Sequence, residues 1–141
     1  LDEAPPTAPD NILAKKKQVV DGTANAFVWE KKYKVKLAFG TDLMFDPKQM
    51  SKMSTDILKL KQWFTSAEAL KLMTHDNAQL LALSGPRNAY PGKLGVIEAG
   101  ALADMILVDG DPVANLELVA DPDKNFKLIM KDGKIYKNTL Q

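Results

Sequence analysis

The sequence contains no cysteine and a single histidine, His75. Without cysteine there is no disulfide framework, no thiolate metal site and no cysteine nucleophile, and the redox compartment stays undetermined. One histidine also excludes the paired-histidine helices that carry catalytic zinc. A zinc site built from this chain alone would be short of donors, because three or four nitrogen, sulfur or oxygen ligands have to converge. His75 has no histidine or acidic residue four positions on, so packing or capping is its expected use and metal ligation or base chemistry the alternative. Charge of one sign is missing as well. Nineteen basic residues stand against eighteen acidic ones, a net +1, which leaves no global field for nucleic acid or an anionic membrane. The one basic run, Lys15-Lys16-Lys17, has no interleaved aromatics and reads as the solvated face of a helix. No apolar run approaches the ~20 residues of a membrane span, and no signal-peptide core is present. Internal repeats, phosphate-cradling glycine loops and nucleophile elbows are absent too.

What is present is organised around 35–42, Val-Lys-Leu-Ala-Phe-Gly-Thr-Asp. Here a short apolar strand, expected over 35–39, runs into Gly40, Thr41 and Asp42. Glycine lets the backbone turn sharply and presents the following side chains at the rim of a sheet. In parallel α/β folds that rim is where active sites are assembled. The same Gly-Thr-Asp is equally what an aspartate satisfying backbone N–H groups in a turn looks like.

Upstream, Pro5, Pro6 and Pro9 mark a loop or linker. Asp10 can cap a helix over 11–32 that places Ile12, Val19, Val20, Thr23 and Phe27 near one face, with Gly22 weakening it by about 1 kcal/mol. Downstream, Asp46-Pro47 can open another helix, in which Met50, Met53, Ile57 and Leu60 form a buried stripe, the methionines serving as core filler. Thr65-Ser66-Ala67-Glu68 spells a capping box, with a helix through Met73 to follow. A second short helix is expected over 76–83, Thr74 near its cap and Ser84-Gly85-Pro86 its stop. Helices are therefore expected across 49–83.

From Asn88 onward the glycines and prolines divide the chain into strand-sized pieces. Met105-Ile106-Leu107-Val108 is apolar throughout, as for a strand covered on both faces. Asp132-Gly133 between two β-type runs is the signature of a two-residue type I′ hairpin. Glu98, Asp104, Asp109 and Asp111 lack the spacing of a calcium loop and read as turn-forming carboxylates. The residues thus describe part of an α/β unit with a β appendage.

Taken in order, Gly40-Thr41-Asp42, Glu68-Ala69-Leu70, Thr74 through Asn77-Ala78, the run from Gly95-Val96-Ile97-Glu98 to Asp109-Gly110-Asp111-Pro112, and Ile129-Met130-Lys131-Asp132-Gly133-Lys134-Ile135 resemble the C-terminal portion of the amidohydrolase superfamily. The nearest resemblance is to its imidazolonepropionase-like and dipeptidase-like branch, over 35–138. The resemblance implies a (β/α)8 TIM barrel flanked by a composite β-sandwich. Residues 1–87 would be the last part of the barrel, with 35–39 its eighth strand, and 88–141 the C-terminal share of the sandwich. It also implies that Asp42 is the strand-eight aspartate, which contacts the metal and takes a proton from the attacking water.

The implied cofactor is one or two zinc ions, and the implied reaction is hydrolysis of an amide-type C–N bond in a small amide or dipeptide-like substrate. The family's His-x-His pair, its mid-barrel lysine or glutamate and its later histidines have no counterparts here. At 141 residues, beginning with Leu1, the chain is also shorter than the ~250 residues of a whole barrel. It is expected to be a piece of a larger enzyme, inactive alone. Its partner would be the missing N-terminal portion in a two-piece enzyme, or further copies of itself in a self-associating, non-catalytic module. Cytoplasm and periplasm both stay open.

Overall fold

The computed structural model describes residues 9–41, 47–50 and 52–140. The chain divides into two compact units, the first ending at Lys36 and the second starting at Leu37.

The first unit is built on one helix, α1 (Asp10–Tyr33), one residue longer at each end than the expected 11–32. Pro9, not Asp10, occupies the cap position, and Asp10 is the first helical residue, its charge placed at the positive end of the helix dipole. Gly22 does not interrupt the helix, and no α1 residue is buried. The Lys15–Lys17 run lies on it, with Lys17 paired to Asp21 one turn on at 2.9 Å. The helix stops where Lys34 turns left-handed at φ 52° and the Val35 N–H reaches back to the Glu30 carbonyl. This back-reaching bond is the Schellman arrangement, in which glycine is the usual occupant.

In the second unit, α2 (Pro47–Met50) and α3 (Met53–Asp56) lead into a 3₁₀ segment (Ile57–Gln62), then α4 (Ser66–Lys71), a π-helical turn (Leu72–Asp76), α5 (Asn77–Ala82) and a 3₁₀ turn (Gly85–Arg87). The capping box forms as its residue types require. Thr65 N–H donates to Glu68 Oε2 at 2.8 Å and Glu68 N–H donates to Thr65 Oγ1 at 3.3 Å. The expected break between two helices at 74–76 is not a break: the π turn carries the helix through, and the Thr74 hydroxyl donates to the Leu70 carbonyl at 2.7 Å instead of capping. The methionine stripe is corrected as well. Leu60 is buried, but Met50 and Met53 are about half exposed, 55% and 49%.

Three antiparallel strands follow in the order β1 (Met105–Val108), β2 (Phe126–Lys131), β3 (Lys134–Asn138), with two four-residue helices, α6 (Glu117–Ala120) and α7 (Pro122–Asn125), between β1 and β2. Asp132 (φ 50°) and Gly133 (φ 73°) are both left-handed, which is the type I′ geometry matching the twist of the flanking strands. The turn is tied back to the residues before β1: Asp132 N–H donates to Asp104 Oδ1 at 2.6 Å and Gly133 N–H to the Ala103 carbonyl at 3.2 Å. β1 forms where expected, but it is not covered on both faces, since Ile106 and Leu107 are half exposed.

The strand expected over 35–39 is a further correction. Residues 35–41 form no strand, because a strand is made by its ladder and they find no ladder partner among the described residues. From Leu37 they keep a strand's alternation all the same: Leu37, Phe39 and Thr41 are half-buried, Ala38 and Gly40 exposed.

The buried apolar residues among those described are Leu60, Ala69, Leu72 and Leu116. Leu116 introduces α6, which packs on α3 and its 3₁₀ continuation, where Lys61 pairs with Glu117 at 2.9 Å. Leu116→Ala removes a fully buried side chain and is expected to destabilise this unit by roughly 2–5 kcal/mol, whereas half-exposed Ile106→Ala costs under about 1 kcal/mol. Urea unfolding midpoints of the two variants measure the difference.

Candidate functional site

Asp42, the one candidate catalytic and metal-binding residue of the sequence, lies outside the described residues. The segment leading to it is described, and it is held by a contact that no sequence motif announces. Phe39 N–H donates to Asn77 Oδ1 at 2.7 Å, and Asn77 Nδ2 donates to the Phe39 carbonyl at 3.0 Å. In an extended chain the N–H and C=O of one residue point to the same side, so a single carboxamide meets both. Asn77 is half-buried on α5 immediately after the π turn. That turn carries one residue more than an α-helical turn, which rotates everything after it by about 100° relative to an unbroken helix. The π turn therefore sets the direction in which Asn77 leaves the helix.

The same turn carries His75 and Asp76. His75 Nδ1 lies 2.8 Å from Asp76 Oδ1, and the Lys71 ammonium pairs with the same oxygen. Burial pushes the Asp76 carboxyl up, but the hydrogen bonds and charges of Lys71 and His75 outweigh it and hold the group below the usual carboxylate range. Opposite, Gly95 sits directly on the turn: a Cβ there would stand 2.5 Å from the Thr74 carbonyl oxygen and 2.8 Å from His75 Cα, and φ is +72°. Glycine is thus required twice over, by space and by backbone angle. An open groove of about 740 Å³ runs between the helix and the loop after Asn88, lined by His75, Gln79, Asn88, Lys93 and Glu98 among others. Lys93 and Glu98 pair across 2.6 Å, and Glu98 raises the Lys93 ammonium above its usual range.

The acidic residues of the second half serve backbone N–H groups or pair with lysines. Asp111 Oδ1 accepts from Val113 N–H at 2.9 Å and Ala114 N–H at 3.3 Å, Asp104 from Asp132 N–H, and Asp109 pairs with Lys127 at 3.0 Å. No three His, Cys, Asp or Glu side chains converge among the described residues. Those residues therefore do not by themselves fit a zinc ion, which needs three protein donors even at an open catalytic site. Sequence reasoning missed Asn77 as a positioned group. It stood there only as part of a helix motif, and nothing local links it to Phe39, which lies 38 residues away.

Two outcomes follow from the π turn. Gly95→Ala is expected to cost about 1–3 kcal/mol through overpacking, seen as a lowered unfolding midpoint. Gly100→Ala, also at positive φ but with open space around it, is expected to cost less. A carboxyl held below its unfolded value adds stability that is present above about pH 4 and lost as pH falls through the folded pKa. Asp76→Asn is accordingly expected to be less stable than the parent at pH 7, with the difference vanishing toward pH 2 in denaturant titrations.

Comparison with known proteins bears on the whole chain. Residues 7–136 match the Amidohydrolase family. A crystal structure of an amidohydrolase is 28% identical with a TM-score of 0.76, over 94% of this chain and 30% of that one. A second solved structure, of an uncharacterized protein, is 25% identical with a TM-score of 0.74, over 94% of this chain and 31% of that one. A third, of a prolidase in complex with N-methylphosphonate-L-proline, is 24% identical with a TM-score of 0.74, over 94% of this chain and 30% of that one, and shows a shared fold alone. No curated protein matches significantly. The chain spans about three-tenths of the length of these solved structures. With the family match running over nearly its whole length, the chain belongs to the amidohydrolase family.

Proposed function

We propose that this chain is the C-terminal part of a metal-dependent hydrolase that cleaves an amide-type C–N bond in a small molecule. The observation that carries the proposal is the family match over 7–136. In this reading 1–87 closes a (β/α)8 barrel, 35–39 is the backbone of its last strand, and 88–141 belongs to the flanking composite sandwich. The half-buried, half-exposed alternation that starts at Leu37 supports an extended strand there, since it is the pattern of a strand whose ladder is completed by other segments.

The residue this chain contributes to the chemistry is Asp42, at the end of that strand where barrel active sites are built. Its carboxylate takes a proton from the water that attacks the substrate carbonyl, and returns it to the amine as the C–N bond breaks. A divalent metal, zinc in this reading, supplies Lewis acidity and lowers the pKa of a water. The described residues hold no complete ligand set for it, so the remaining donors belong to other parts of the enzyme. The 141 residues alone are expected to be inactive. The prolidase is consistent with a dipeptide-like substrate, but a shared fold leaves substrate choice to the loops of the barrel's earlier strands.

A second reading, a self-associating module without catalysis, is favoured by the half-exposed Ile106 and Leu107 and by the outer edges of β1 and β3, which are unpaired among the described residues. Native mass spectrometry with metal analysis separates the two readings. A metal-free oligomer of the 15.5 kDa chain supports the module. A zinc-bearing species with a larger polypeptide supports the enzyme. In that enzyme Asp42→Asn is expected to lower kcat by about 10²–10⁴-fold on a panel of dipeptides and cyclic amides. Turnover at the parent rate would remove Asp42 from the mechanism.

A further inference from the structure

The Asn77 carboxamide does for Phe39 what a neighbouring strand does elsewhere. It offers one acceptor and one donor at the spacing of a β-ladder, to a residue with no backbone partner among those described. The assignment of its oxygen and nitrogen is unambiguous, because an N–H can only be met by the oxygen and a carbonyl only by the NH₂. Other side chains would do this poorly. An ionised aspartate has the acceptor but no donor, a serine hydroxyl cannot span both groups, leucine has Asn's shape without its polarity, and glutamine is one methylene longer. Two further features hold the carboxamide in place: the π turn that rotates α5, and Gly95 lying against that turn.

We infer that Asn77 is a positioning residue: it fixes the register and direction of the extended segment at Phe39, three residues before Asp42 in the sequence. The inference rests on the proposed role of Asp42 for its catalytic meaning, but not for its structural content. Asn77 touches no reacting atom in this assignment and acts only through the Phe39 backbone. Both bonds that fix the carboxamide go to one residue, the acceptor to the Phe39 N–H and one of its two N–H donors to the Phe39 carbonyl.

The test is amide hydrogen exchange on the full-length protein, read at Phe39 by fragmentation mass spectrometry, with the β2–β3 hairpin as internal reference. Asn77→Ala and Asn77→Leu are both expected to speed Phe39 exchange at least tenfold while leaving the hairpin amides unchanged. Asn77→Asp, which keeps the acceptor for the Phe39 N–H and loses the donor to its carbonyl, is expected to fall between these and the parent. Wild-type protection in Asn77→Leu would show that shape and not hydrogen bonding holds the segment, and would overturn the inference. Should Asn77→Ala fail to fold, the ordering of Asp against Leu still decides. Turnover by Asp42→Asn in the full-length enzyme tests the Asp42 reading separately. A parent rate there, together with fast Phe39 exchange in Asn77→Leu, would remove the catalytic meaning and leave the positioning role standing.

Discussion

A half-buried backbone that is extended must find partners for its N–H and C=O groups, and this requirement shapes the part of the molecule nearest the candidate chemistry. At Phe39 the partner is a side chain, Asn77, delivered from 38 residues away. Its delivery depends on the helix that runs from Ser66 through the π turn to Ala82, and on the glycine that allows the later loop to rest against that turn. The capping box at Thr65 and Glu68 starts this helix at a defined residue. The π turn then adjusts its phase. A chain of local devices thus ends in one long-range contact.

The same economy appears in the second half, where carboxylates stand in for backbone partners. Asp104 receives the N–H of the hairpin turn, Asp111 closes a turn on Val113 and Ala114, and Asp121 accepts from Lys124 N–H at 3.2 Å at the start of α7. These acids are near one another in sequence without converging in space, which is why their number does not signal a cation site. Each is used where a loop would otherwise leave donors unpaired.

The family relationship and the site carry different kinds of information. Membership follows from a match along almost the whole chain and is consistent with an α/β architecture carrying a small three-stranded antiparallel sheet. Chemistry on such folds is decided by a few groups at strand ends and by the loops around them. In this chain the described residues hold the extended segment at Phe39 through Asn77, and the proposed function assigns the reacting carboxylate to Asp42.

Features whose cause lies within a few residues were legible in the sequence. The helix near 11–32, the capping box, the glycine stop after α5, strand β1 and the type I′ turn at Asp132-Gly133 all follow from caps, periodicity and backbone angles that neighbours in the chain dictate. Other readings went astray where distant contacts decide, the cover expected on both faces of β1 among them. The π turn reads as a break, because an extra residue shifts the apolar phase as a new helix would. Met50 and Met53 keep helical spacing yet stay half exposed, because periodicity says which residues share a face and not what covers it. The segment at 37–41 has a strand's composition, but only tertiary structure could show that its partner among the described residues is the amide of Asn77. Local chemistry therefore determined where elements begin, turn and stop. The pairing of Phe39 with Asn77, and the approach of Gly95 to Thr74, were decided by the fold, because hydrogen bonds and close contacts between residues far apart in sequence leave no spacing rule to read.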